Sequence, residues 1–238
     1  MDILYIVGKG LSQWQDNELR YSLRSIAKYG RNVGRVYIAG FCPSFVNREA
    51  VTYIKVRDEV QGKKHHNILH CILEAVRLSD IGNDFLYSSD DHYYIRPTDF
   101  DSYPFFCKGV LPEKGSGQYQ HSLQETRELL EACGLPFLNY SWHGNTHFRR
   151  SLIESPRFQR LCKFAGLTEE GVEPTCLMLN YWQAVEGFPI TEREDYKSSD
   201  EDLEKNGREC ISSAAVLDGH SLADFLRSEF PNKCKYEY

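Results

Sequence analysis

The first hundred residues switch repeatedly between two hydrophobic periods, and that alternation constrains the fold more than any other feature. Ile3-Leu4-Tyr5-Ile6-Val7 is a continuous apolar run, the pattern of a strand buried on both faces. A polar loop follows, from Gly8 to Asp16. Leu19, Leu23, Ile26 and Ala27 then recur at helical spacing, and Gly30 is the stop signal. Residues 35–39 (RVYIA) predict a second strand and residues 51–56 (VTYIKV) a third. Ile68, Ile72 and Val76 predict a helix over 63–79. Residues 84–88 (DFLYS) predict a fourth strand, with Tyr93, Tyr94 and Ile95 continuing beyond it. Strands that alternate with helices imply a mainly parallel sheet with helices on its faces. Such sheets bind ligands outside the carboxyl ends of their strands, so the loop after residue 7 and the segment after residue 88 belong to the binding edge.

From about residue 100 the texture changes. Prolines and aromatics punctuate 100–117. A helix is predicted at 122–133, stopped by Cys133-Gly134-Leu135-Pro136, with further helices at 148–164, 174–186 and 221–230. Residues 191–208 are strongly charged and read as a loop. With no internal repeat and no clean linker, the 238 residues are expected to form one α/β domain with an α-rich C-terminal half.

The totals exclude several classes. A formal net charge of −6 gives no bulk attraction to nucleic acid or to an anionic membrane and leaves only a local basic patch open. No apolar run approaches the roughly 20 residues needed to span a bilayer. Met1 to Val7 is too short for a signal peptide, and Asp2 stands where basic residues belong, so a cytoplasmic protein, free or loosely attached to something, is expected. The eight cysteines are scattered, without a CxxC pair, and predict free, mostly buried thiols rather than disulfides or structural zinc.

The sharpest chemical signal is Phe85-Leu86-Tyr87-Ser88-Ser89-Asp90-Asp91-His92, a hydrophobic strand that ends in two acids and a histidine. Mg²⁺ and Mn²⁺ prefer carboxylate oxygens, and Mn²⁺ also accepts imidazole. Asp90, Asp91 and His92 are therefore candidate metal ligands, against the plainer alternative of a solvated turn. In the first loop, Gly8-Lys9-Gly10 permits close backbone approach to a ligand, without the spacing of a Walker loop. Asp16 or Asn17 is the candidate cap of the first helix, and Arg20 and Arg24, one turn apart, face either a phosphate or solvent. Gln61-Gly62-Lys63-Lys64-His65-His66-Asn67 opens the second helix with cations, which suits an anion better than it suits the helix dipole. Trp142-His143-Gly144-Asn145-Thr146-His147-Phe148-Arg149-Arg150 is dense in polar aromatic and basic groups. There His143 or His147 would supply a third metal ligand or meet an acceptor.

These segments together carry a family likeness. The opening block Ile3 to Val7, then Asp16-Asn17-Glu18-Leu19-Arg20-Tyr21-Ser22-Leu23-Arg24-Ser25-Ile26 and Val36-Tyr37-Ile38, resembles the first block of the Stealth-type sugar-phosphate transferases. Phe85 to Tyr93 resembles that family's second block, and His143 with Arg150-Ser151-Leu152 its third. The tail Phe230-Pro231-Asn232-Lys233-Cys234-Lys235-Tyr236-Glu237 is similar to that of small bacterial and phage glycosyltransferases. The chain departs from the Stealth pattern at Ser89, where that family has Asn, and at Gly144-Asn145, which replace its proline.

The resemblance implies a GT-A-like fold, a nucleotide-sugar donor, most simply a UDP-sugar, and Mn²⁺ or Mg²⁺. Residues 1–100 would be the nucleotide-sugar half and 101–238 the acceptor side. It implies that Asp90, Asp91 and His143 form the catalytic set, with Asp91, Asp90, His92 and His143 around the metal. Val7, Gly8, Lys9 and Gly10 would receive base and ribose. Arg20, Lys63 and Lys64 would hold the diphosphate, with Asn67 and Ser89 beside it. The leading expectation is sugar transfer to a glycan or other hydroxyl acceptor in polysaccharide biosynthesis. Three alternatives stay open: a Stealth-like hexose-1-phosphate transferase, a phage DNA-base glycosyltransferase with nucleic acid only as acceptor, and a non-catalytic sugar- or nucleotide-binding module suited to the 15 tyrosines and 13 phenylalanines.

Overall fold

The computed structural model describes residues 1–10, 12, 14–58, 62–109, 111, 113–114, 116–135, 144–192, 209–212 and 221–238. In chain order the elements are β1 (Asp2–Val7), α1 (Asn17–Tyr29), β2 (Gly30–Arg31), β3 (Val36–Gly40), β4 (Thr52–Lys55), α2 (Lys64–Leu78), β5 (Asp84–Ser88), β6 (His92–Tyr94), β7 (Thr98–Asp99) and β8 (Phe105–Cys107). There follow α3 (Gln118–Ala132), β9 (Thr146–Arg149), α4 (Arg150–Ile153), α5 (Pro156–Ala165), α6 (Pro174–Val185), β10 (Ile190–Glu192), β11 (Cys210–Ser212) and α7 (Ser221–Glu229). The fold is mixed α/β with a mostly parallel central sheet, as the alternating pattern requires. Contacts divide the chain into two compact units that cross the expected division at residue 100. The first is Met1–Lys55, Leu86–Tyr103 and Tyr196–Tyr238; the second is Val56–Phe85 and Pro104–Asp195.

The first unit holds most of the sheet, whose full order is β4-β3-β1-β5-β9. β1 pairs in parallel with β3, Ile3 opposite Val36, and β3 pairs in parallel with β4. Ile3, Leu4, Tyr5, Tyr37, Ile38 and Ala39 are fully buried, which is why these strands read as continuous apolar runs rather than alternating ones. Each such Ile or Leu contributes about 1.5–3 kcal/mol by leaving water. At the end of β3, Gly40 has φ of 101°, and a Cβ there would stand 2.4 Å from the Val7 carbonyl oxygen. Only glycine lets the two strand ends approach so closely. β6 continues past the acidic motif and pairs antiparallel with β11, His92 opposite Ser212. A cluster of Trp14, Tyr21, Tyr93, Ile211, Leu222, Leu226 and Phe230 ties the first loop, α1, β6 and α7 together.

The second unit is built around α6, in which Pro174 to Trp182 are all buried. A helix apolar on every side belongs at a centre. The first two residues of β5 belong to this unit, and β9 lies beside β5 there, with Phe85 stacked on Phe148 at 5.8 Å. The single helix expected over 148–164 is instead a strand end and two helices. Pro156 has no N–H for a continuing helix, and Ser155 starts a new one by accepting the Phe158 N–H at 3.2 Å. The strand β10 begins the charged segment by pairing in parallel with β8, and the rest of 191–208 lies outside the described residues. All eight cysteines are free, six of them buried. Among the described residues no helix is long and apolar enough to cross a membrane.

Candidate functional site

In the first unit β1 has β3 on one side and β5 on the other, although β5 follows β4 and α2 in the chain. In open α/β sheets a reversal of strand order of this kind marks the edge where ligands bind, here beyond β1 and β5. β1 and β5 are neighbours in the sheet, with Val7 and Ser88 as their last residues. Val7 is buried, Gly8 half-buried, and Lys9 and Gly10 exposed at one lip of this edge. Ser89, Asp90 and Asp91, all half-buried, form the turn at the other lip.

A buried polar network fixes that turn. Ser22 on α1 pairs with the Tyr5 hydroxyl at 2.9 Å and donates to the His92 carbonyl at 2.7 Å. Ser25, one turn on, accepts the Tyr94 N–H at 3.0 Å and donates to the Ser22 carbonyl at 2.7 Å. Both serines are fully buried on the face that also carries Leu19, Leu23 and Ile26. α1 thus grips the backbone on the far side of the acidic pair. Burial pushes the Tyr5 phenol far above its ordinary value, so it stays neutral, as a hydroxyl in this network must.

His92 is the pivot. Its side chain has no exposure, and Nδ1 lies 3.0 Å from Asp91 Oδ1, while the Asp91 side chain is 31% exposed. A buried imidazole holding an accessible carboxylate is the arrangement that orients a ligand from behind. It departs from the sequence expectation that put His92 beside the metal, because the imidazole is sealed inside the protein. Among the described residues no group of three or more His, Cys, Asp and Glu gathers into a closed metal cage. Two adjacent carboxylates nevertheless suit Mg²⁺ or Mn²⁺, which takes one or two carboxylates and fills its shell with phosphate oxygens and water.

The other expected residues are placed differently. The Arg20 guanidinium sits 4.1 Å above the Phe45 ring, and Nη1 donates to Glu237 at 3.0 Å. Arg24 binds the same carboxylate through Nε at 2.6 Å and Nη2 at 2.9 Å. Glu237 is buried, and the pair of arginines faces the C-terminal tail rather than phosphate or solvent. Asp16 is in the left-handed region at φ 60° and makes no side-chain cap. Ser12 organises that turn instead, accepting the Asp16 N–H at 2.7 Å and donating to Glu18 at 2.6 Å.

In the second unit, Lys63 donates to the Glu169 carbonyl, His66 Nε2 lies 3.0 Å from the Thr168 carbonyl, and buried His65 meets Ser122. Lys64 is exposed and Asn67 half-buried. The basic opening of α2 is therefore largely spent on the 168–171 turn. Glu125 accepts the N–H groups of Glu169, Glu170 and Gly171 at 2.8–3.0 Å. His143 lies outside the described residues. His147 is buried and stacked on Phe105 at 4.1 Å. Arg149 binds Asp84 at 2.6 Å and lies over Trp182, and Arg150 donates to the carbonyls of Ser79 and Ile81. In the described part of that segment, His147, Arg149 and Arg150 pack or pair within the second unit. Sequence reasoning missed Tyr5, Ser22, Ser25 and Glu237. The available signal was two serines at i, i+3 on an otherwise apolar helix face.

No protein-family model matches the chain, and no curated protein matches it in sequence. Solved structures do. A crystal structure of an active-site mutant of LgtC superposes with a TM-score of 0.55 at 12% identity, over 96% of this chain and 95% of that one. The galactosyltransferase LgtC in complex with donor and acceptor sugar analogues gives 0.46 at 13% identity, over 83% and 73% of the two chains. The glycosyltransferase GlyE of Streptococcus pneumoniae gives 0.44 at 9% identity, over 80% and 45%. The first comparison shows that the chain has the LgtC fold along nearly its whole length. At 12% identity the likeness is one of fold.

Proposed function

We propose that this protein is a metal-dependent glycosyltransferase that moves a sugar from a nucleotide sugar to a hydroxyl acceptor. The observation that carries the reading is the Asp91 carboxylate, accessible at the sheet edge where the strand order reverses and held from behind by buried His92. The LgtC fold supports the same reaction class. Asp91 and Asp90 would hold Mn²⁺ or Mg²⁺, and the ion when bound neutralises charge on the departing diphosphate. Gly8 and Gly10 leave room for base and ribose close to the backbone. His92 acts through Asp91 as a positioning residue, and Ser22 and Ser25 hold the turn so that little reorganisation is needed during the reaction. Arg20 is omitted from the diphosphate set because its guanidinium is committed to Glu237. A half-buried acidic pair on a rigid strand end distinguishes this reading from a simple solvated turn.

The test has two readouts. Calorimetry measures UDP binding with Mn²⁺ and with EDTA, and nucleotide release is followed from UDP-, GDP- and CMP-sugars. Metal-dependent binding and release by wild type, both lost in Asp91→Ala, support the proposal. The nucleotide formed decides the bond: a nucleoside diphosphate means glycosyl transfer, a monophosphate means transfer of sugar phosphate. Failure to bind any nucleotide, with or without metal, refutes it.

A further inference from the structure

Helix α5 buries Phe158, Leu161, Cys162 and Ala165, the i, i+3, i+4, i+7 face of an amphipathic helix. Its other side exposes Arg157, Arg160 and Lys163. Phe164, on that same exposed side, is 55% exposed, and Leu167 in the following turn is 81% exposed. At about 100° per residue, Arg157, Arg160 and Phe164 lie within roughly 60° of one another on the helix wheel. A groove of about 430 Å³ opens beside them, its walls formed by Leu129, Leu135, Leu161 and Phe164 together with the two arginines.

The charge of this surface opposes that of the protein. From Pro156 to Leu167 there are three cations and no acid, in a chain of net charge −6. Three neighbouring acids already have partners: Glu154 binds Arg150 at 2.9 Å, Glu131 binds Arg127 at 3.1 Å, and Glu128 takes the Gln124 amide at 2.8 Å, while Glu169, two residues beyond Leu167, is exposed. For Arg157, Arg160 and Lys163 no side-chain bond or ion pair forms among the described residues. An exposed helix face is ordinarily polar throughout. Here an aromatic ring and a leucine are interleaved with these cations along one exposed stripe. A plane of phosphate headgroups matches that stripe: the cations meet the phosphates while Phe164 and Leu167 enter the acyl boundary.

We propose that α5 with Leu167 is a peripheral docking surface for an anionic lipid bilayer. The surface is independent of the nucleotide chemistry assigned above. Full-length protein is floated with vesicles of phosphatidylglycerol and phosphatidylcholine in equal parts, and with phosphatidylcholine vesicles alone. Wild type is expected to float with the anionic vesicles only, and less as salt screens the headgroups. At about fivefold per cation, R157E with R160E weakens partition by at least twentyfold. F164S with L167S also releases the protein from the vesicles. All four side chains are on the surface, so thermal melts match wild type, and nucleotide binding is unchanged in both double variants. No flotation of wild type, or flotation that neither double variant reduces, overturns the proposal. So does binding to polyglutamate without binding to vesicles, which would make the surface a dock for acidic protein.

Discussion

Glu237 offers the most direct test of how the first unit is held together. It stands one residue from the last, yet its side chain has no exposure, and it receives guanidinium groups from both Arg20 and Arg24 as well as the Cys234 N–H. Glu237→Ala would leave Arg24, 10% exposed, with the Phe230 carbonyl at 2.8 Å as its remaining hydrogen-bond acceptor among the described residues. Removing one member of a buried pair costs about 3–5 kcal/mol, because the other charge is stranded. Arg20 is 26% exposed and regains water, which puts the expected loss near the lower end, about 3 kcal/mol. With a slope of about 2–3 kcal/mol/M for a chain of this size, the urea midpoint falls by roughly 1–1.5 M. Glu237→Gln, which keeps shape and hydrogen bonding but not charge, loses less. Burial alone would raise the Glu237 carboxyl, but the Arg24 bonds and the Cys234 N–H outweigh it and hold the group below its ordinary value. A depressed carboxylate contributes fully above its unfolded pKa of about 4.3, and the contribution fades as pH falls through the folded value. The gap between wild type and Glu237→Ala is therefore widest near neutral pH and narrows in acid below about 4.3. Urea curves at pH 7 and at lower pH measure both effects. A midpoint for Glu237→Ala equal to that of wild type at pH 7 would refute the reasoning.

Three further outcomes follow from the site. Ser22→Ala strands the Tyr5 hydroxyl and the His92 carbonyl in the interior and costs about 1–3 kcal/mol; urea unfolding checks the loss, and weaker Mn²⁺-dependent UDP binding checks its consequence for the acidic turn. His92→Phe removes the bond to Asp91 and weakens metal-dependent nucleotide binding by about 10–100-fold in calorimetry, while His92→Asn, which keeps a donor, recovers part of it. Gly40→Ala forces a Cβ against the Val7 carbonyl at positive φ and destabilises the protein by about 2 kcal/mol or more, read as a lowered melting temperature.

The sheet was legible in the sequence because a strand buried on both faces leaves a mark that needs no partner to be recognised. Ile3 to Val7 and Phe85 to Ser88 carry it, and β1, β3, β4 and β5 lie within a residue or two of the predicted positions. The order of the strands left no such mark, since parallel pairing brings together residues dozens of positions apart. Helix boundaries failed where one local group overrode periodicity. The pattern over 148–164 is continuous in hydrophobic spacing, but Pro156 and the Ser155 cap cut it.

The site divides along the same line. Asp90 and Asp91 could be picked out because carboxylates at a strand end are a local pattern, whereas the fate of a cation depends on which distant residue folds against it. Arg20 and Arg24 look like a phosphate clamp until Glu237, more than two hundred positions on, is brought to them. Lys63 and His66 look like an anion site until the carbonyls of 168 and 169 close over them. Acids near the first turn and cations near the second are therefore not equivalent evidence. A carboxylate still accessible after folding, with a buried imidazole set behind it, has been kept exposed at the cost of burying a polar ring, and stability alone does not require that of the Ser89–His92 turn. The same comparison singles out Arg157 and Arg160, which among the described residues have no acid folded against them, unlike Arg20, Arg24 and Arg149.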